Sequence, residues 1–228
     1  MGTIFLILIV FFALASSGAM GARTVFHGFS NLNPGKAKVQ ADFRKIQAEL
    51  SNKRAELVPW SDEDRGLLSL KRNPYKEKTG SVKSAEGTFV TIYQEPMVMF
   101  GYKRYLGKKE NAILVVMTSH HEYLYRIKNN RVEVALNGKY FGGITPDYAL
   151  ISEKKKVLAK ITRLKNNDYY PMSVEGRDVG SIGDTKKAKK VNPRAFELLS
   201  EMSPDEEKKF LALAFYFLVR NGFEKIPS

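Results

Sequence analysis

Between residues 88 and 182 apolar and polar positions come in short runs that alternate with a period of two, the spacing of a half-buried strand. In one run Val132, Val134 and Leu136 fall on one face, while Arg131 and Glu133 fall on the other. Strands are predicted over Thr88–Tyr93, Pro96–Tyr102, Ala112–Met117, Glu122–Ile127 and Arg131–Leu136. They continue over Lys139–Thr145, Asp147–Ser152, Val157–Arg163, Tyr169–Val174 and Arg177–Ile182. Asn129-Asn130 and Asn137-Gly138 separate such runs and are strong tight-hairpin signals. Further hairpin tips fall at Glu153–Lys156 and Glu175-Gly176. No helical pattern intervenes, which excludes a parallel sheet built from βαβ units and leaves an antiparallel barrel or sandwich.

The pattern changes after residue 200. Phe210 to Val219 carries no charge on any face, so a helix here must be enclosed by apolar groups all round. Its start is well specified: Ser203 as N-cap, Pro204 in the first turn and Glu206 completing a capping box. Arg220 and Gly222 read as its end. Ten uncharged residues cover only about half a bilayer, so the segment is expected in a core. Val39, Phe43, Ile46, Leu50 and Leu57 recur at helical spacing and predict an amphipathic helix over about 38–57, packed on the barrel or forming a stalk, with a helix lying on an anionic membrane as the alternative. Ser61, followed by Asp62, Glu63 and Asp64, predicts a short helix reaching Leu70, with strands starting only after Asn73-Pro74. Another short helix is expected near Ala195–Glu201.

Residues 3–22 contain no charged side chain, and as a helix they would reach about 30 Å, the thickness of a bilayer core. The first cation is Arg23, and residues 23–60 hold seven basic against three acidic side chains. By the positive-inside rule this is an uncleaved single-pass anchor with the C-terminal body in the cytoplasm. The small residues from Ser17 to Ala22 allow an alternative, a cleaved signal peptide and an exported envelope scaffold, secreted or periplasmic. The expected organisation is therefore a transmembrane anchor at 1–22, a linker with a helix at 23–60 and a barrel domain at 61–228. The fold class is mainly β (α+β), an antiparallel β-barrel enclosing a hydrophobic C-terminal helix.

Many antiparallel strands in hairpin order, closed by a single apolar C-terminal helix, resemble the tubby C-terminal fold and its scramblase-like and LURP-one-like relatives. The likeness is one of topology over about residues 79–221, through Arg131–Thr145, Tyr169–Ile182 and Glu206–Asn221. It implies a barrel around the helix and an association with lipid. The chain lacks the cysteines and calcium-binding segment of scramblases.

A formal charge of +13 makes anionic surfaces natural partners. Lys154, Lys155 and Lys156 lie at one hairpin tip. Lys186, Lys187, Lys189, Lys190 and Arg194 lie in a longer loop, and Lys103-Arg104 with Lys108-Lys109 forms a third cluster. Near an anionic leaflet each such residue contributes about 1 kcal/mol, so these clusters are the candidate lipid-binding residues. Nucleic acid is disfavoured, because no basic-aromatic recognition motif is present. Adjacent His120 and His121 would point to opposite faces of a strand and could not share a metal. Nucleophile elbows, phosphate loops and zinc-protease helices are absent from the sequence. The expected function is non-catalytic, without a cofactor: binding lipid headgroups or a protein partner at a membrane surface.

Overall fold

A computed structural model describes residues 34–61, 64–78, 83–107, 109–164, 167–186 and 193–223. Twelve strands form one antiparallel sheet in which every strand pairs with its neighbours in sequence. They are β1 (Leu68–Lys78), β2 (Lys83–Thr91), β3 (Pro96–Arg104), β4 (Asn111–Met117), β5 (Glu122–Lys128) and β6 (Arg131–Leu136). β7 (Lys139–Ile144), β8 (Ala149–Ile151), β9 (Val157–Ile161), β10 (Tyr169–Val174), β11 (Arg177–Gly183) and β12 (Phe196–Leu198) follow. The sheet curls until its ends meet: Leu70 N donates to Pro193 O at 2.8 Å and Ala195 N to Leu68 O at 2.7 Å, around a bridge between Ser69 and Arg194. Closure of this kind leaves little free edge.

The hairpins follow their turn residues. Asn129, Asn130, Asn137 and Gly138 all have positive φ, as do Glu175 and Gly176, the geometry that matches the twist of the flanking strands.

Helix α2 (Pro204–Phe223) fills the barrel. Every residue from Phe210 to Val219 is buried, which explains the missing polar face. Inward side chains of the wall meet it ring to ring: Tyr123 against Phe215 at 5.5 Å, Tyr148 and Tyr170 against Phe217 at 5.3 and 5.8 Å, and Phe196 against Phe210 at 5.0 Å. The Tyr125 hydroxyl donates to Ala212 O at 2.8 Å, a buried polar link between wall and helix. The capping box forms as expected, with Glu206 N donating to Ser203 Oγ at 3.3 Å and Ser203 N to Glu206 Oε2 at 2.9 Å. Arg177 and these Ser203 contacts hold the Glu206 carboxyl down to about 2.

A second core lies outside the barrel. Helix α1 (Lys36–Ser51) lays Val39, Ile46 and Leu50, joined by Leu57, on outward-facing Met99, Ile113, Val115 and Met117. This explains why β4 is apolar on both faces: Ala112, Leu114 and Val116 look into the barrel core, while the alternate residues meet α1. The helix expected from the 39–57 periodicity is therefore packed on the wall.

Four expectations are corrected. The segment after Ser61 forms only a 3-10 turn over Asp64–Leu67, and β1 starts at Leu68, well before Pro74. Pro74 is accommodated because the β1–β2 register shifts between Pro74 and Lys76. Residues 196–198 form a strand, since β11 offers an edge and Phe196 finds Phe210. α2 continues through Gly222, its last turn pinned by Arg220 to Glu110 at 3.0 Å and by Asn221 to Asp184 at 2.7 Å. The predicted segment 3–22 lies outside the described residues. Among those residues no helix is long and apolar enough to cross a membrane.

Candidate functional site

In an up-and-down barrel alternate connections fall at opposite ends, and the direction of α2 identifies each end. At its N-terminus the first turn carries Asp205, Glu206 and Glu207. The β10–β11 turn reaches them through Arg177 to Glu206 at 2.8 Å and Glu175 to Lys209 at 3.1 Å. The β8–β9 turn is beside it, with Lys156 3.5 Å from Glu175. Lys154, Lys155 and Lys156 are all exposed, but they share this end with several carboxylates. Trp60 closes it, donating to Glu207 at 2.6 Å and presenting its ring edge to Phe215 at 6.0 Å. Arg65 lies 2.8 Å from the same carboxylate.

His120 and His121 belong to this end. His120 Nδ1 contacts Ser119 Oγ at 3.0 Å, and His121 Nδ1 contacts Asn137 Nδ2 at 3.2 Å. Burial, then nearby Lys208, pushes the His121 imidazole below its ordinary value. Among the described residues no group of three potential metal ligands gathers.

The end at the C-terminus of α2 is different. The β3–β4 connection brings Lys103, Arg104 and Lys109 there, the β5–β6 turn brings Lys128 and Arg131, and the β9–β10 connection brings Arg163. Lys186, exposed after β11, belongs to this end as well, whereas exposed Arg194 bridges Ser69 at the start of β1 and lies against Gly66, next to Arg65. Among the described residues, two of its acids are committed inward, while Asp147, Asp168 and Glu133 are exposed. Glu110 binds Arg220, and buried Asp184 accepts from Tyr170 at 2.7 Å as well as from Asn221. Lys108, Lys187, Lys189 and Lys190 lie outside the described residues. The lysine clusters therefore do not converge: Lys154–Lys156 sits at the mixed end, Lys186 at the basic one, and Arg194 at the seam where the sheet closes on β1.

α1 runs from the basic end to the mixed end. Near its start Asp42 is buried and accepts from Tyr105 at 2.9 Å, with Lys103 at 2.9 Å and Lys38 at 3.3 Å. Burial would raise the Asp42 carboxyl, but Lys103 and Tyr105 outweigh it and hold the group below its ordinary range. Burial and the Asp42 carboxylate push the Tyr105 hydroxyl well up. At the far end Gln47 donates to Glu122 at 2.9 Å and Arg54 to Thr118 O at 3.1 Å.

Between the start of α1 and the β5–β6 hairpin lies a groove of about 850 Å³. Lys36, Val39, Gln40 and Phe43 form one wall, and Arg126, Lys128, Asn129, Arg131 and Glu133 the other. The sequence marked Val39, Phe43, Asn129, Arg131 and Glu133 only as helix, turn and strand positions, and none of the lining residues as a binding residue. The available signal was Lys128-Asn129-Asn130-Arg131, a tight turn flanked by two cations at facing positions. No protein-family model, curated protein or solved structure matches the chain.

Proposed function

We propose that this chain is a non-catalytic membrane-surface module, a tubby-like barrel whose basic end binds anionic lipid headgroups. In this reading residues 3–22 are its anchor, and the barrel lies on the cytoplasmic side. The observation that carries the proposal is the segregation of charge: cations crowd the end at which the chain enters α1 from the direction of that apolar segment. Residues 23–35 can span at most about 45 Å, so the anchor would hold this end close to its own membrane. At about 1 kcal/mol per basic residue near the surface, a handful of contacts suffices for stable docking once the domain is tethered.

Both cores are built from residues between Val39 and Val219, so a chain starting at Arg23 keeps every packing contact described above. Such a chain should float with vesicles containing phosphatidylserine, stay behind with pure phosphatidylcholine, and be released by salt. Indifference to lipid charge would sink the proposal.

A further inference from the structure

The groove beside α1 combines two chemistries. Lys36, Lys128 and Arg131 are exposed along it and have no ion pair or side-chain hydrogen bond among the described residues. Lys128 and Arg131 are direct cross-strand neighbours, a like-charge pairing that works against the hairpin. Arg126 is fixed behind them, donating to Ala112 O and Ile127 O at 2.8 Å and to Asn111 Oδ1 at 2.6 Å. Glu133 is the one carboxylate in the lining. By contrast, half-buried Phe43 and the remaining exposed edge of Val39, whose body packs in the second core, supply an apolar wall one helical turn long. The volume suits a small molecule.

We infer that this groove binds a phosphate-bearing amphiphile, with a phosphomonoester between Lys36, Lys128 and Arg131 and the adjoining hydrocarbon against Val39 and Phe43. Three cations without an ion-pair contact, against one carboxylate in the lining, match a dianionic phosphate better than a single carboxylate. The apolar wall extends only about 6 Å along α1, enough for the first methylenes of a chain but too short for a row of peptide side chains. The inference rests on the membrane-surface reading for the source of the ligand, a bilayer, but not for the geometry of the groove.

The test uses isotope-labelled chain 23–228 titrated with dihexanoyl phosphatidic acid below its micellar concentration. Inorganic phosphate, dihexanoyl phosphatidylcholine and an acidic peptide serve as comparison ligands. Amide shifts should concentrate in 36–43 and 126–133, with affinity at least tenfold above that for each comparison ligand. K128E/R131E should weaken binding at least tenfold with an unchanged melting temperature, because both side chains are exposed. If that variant melts early, K36E on the opposite wall provides the same test. Shifts centred on 184–194, unaltered binding in these variants, or equal or tighter binding of any comparison ligand would overturn the inference. Vesicle flotation separates the two proposals. Loss of short-chain binding with charge-dependent flotation intact refutes the groove alone, whereas groove binding without charge-dependent flotation refutes the membrane-surface reading alone.

Discussion

Ile46 of α1 lies so close to Gly101 of β3 that a β-carbon at Gly101 would sit 2.3 Å from Ile46 Cγ2. The glycine is a seat for the helix, and no side chain fits there without moving it. Gly101→Ala should therefore destabilise the protein by about 1–3 kcal/mol through overpacking. Ile46→Ala costs about 2–5 kcal/mol alone but should cost less in the Gly101→Ala background, since the clash has gone. A urea-denaturation double-mutant cycle measures the coupling, and strict additivity would refute the contact.

The Asp42 clamp makes the docking of α1 sensitive to acid. Because its carboxyl titrates lower in the folded chain than in the unfolded one, the unfolded state binds more protons in that window and stability rises with pH. The contribution is complete above the ordinary carboxylate value of 3.8 and drains away as pH falls through the depressed folded value. Asp42→Asn should flatten this part of the stability-versus-pH curve below about pH 4. It should also cost about 1–3 kcal/mol near neutrality, where the wild type keeps its charged partners. Denaturant titrations from pH 3 to 7 provide the comparison.

Tyr125 tests the polar link inside the barrel. Tyr125→Phe keeps the ring beside Tyr216 but leaves Ala212 O without this donor, and should cost about 1–2 kcal/mol. An unchanged denaturation midpoint would mean that the hydroxyl contributes nothing there.

The two lysine clusters should behave differently on vesicles. Neutralising Lys186, Lys187, Lys189 and Lys190 together should weaken binding to phosphatidylserine vesicles by about 4 kcal/mol, roughly a thousandfold. The triple change of Lys154, Lys155 and Lys156 to glutamine should have a much smaller effect, because that turn belongs to the opposite end. Equal losses in flotation assays would remove the distinction between the ends.

Much of the wall was legible in the sequence. From Glu122 to Ile144 the strand boundaries follow the period-two pattern, because Asn129-Asn130 and Asn137-Gly138 fix both turn type and register. The uniform apolarity of Phe210–Val219 pointed to an enclosed helix for the same local reason. Misreadings came where tertiary pairing decides. Phe196–Leu198 is too short to show a period, and β1 carries a proline and two register shifts that hide its strand character. The candidate site was less legible. Lysine runs are visible as runs, but only the strand count assigns each to an end of the barrel. Lys36 and Arg131 lie far apart in the chain and come to line one groove only when α1 docks.

The helix that fills the barrel follows all twelve strands that surround it. During synthesis the wall therefore emerges from the ribosome before its filling, and each finished hairpin presents an apolar inner face with nothing yet to cover it. Local turns can register the strands early, but the barrel cannot become watertight until Phe210–Val219 arrives. A nascent chain stalled before Ser203 should consequently depend on chaperones in a way that the completed chain does not.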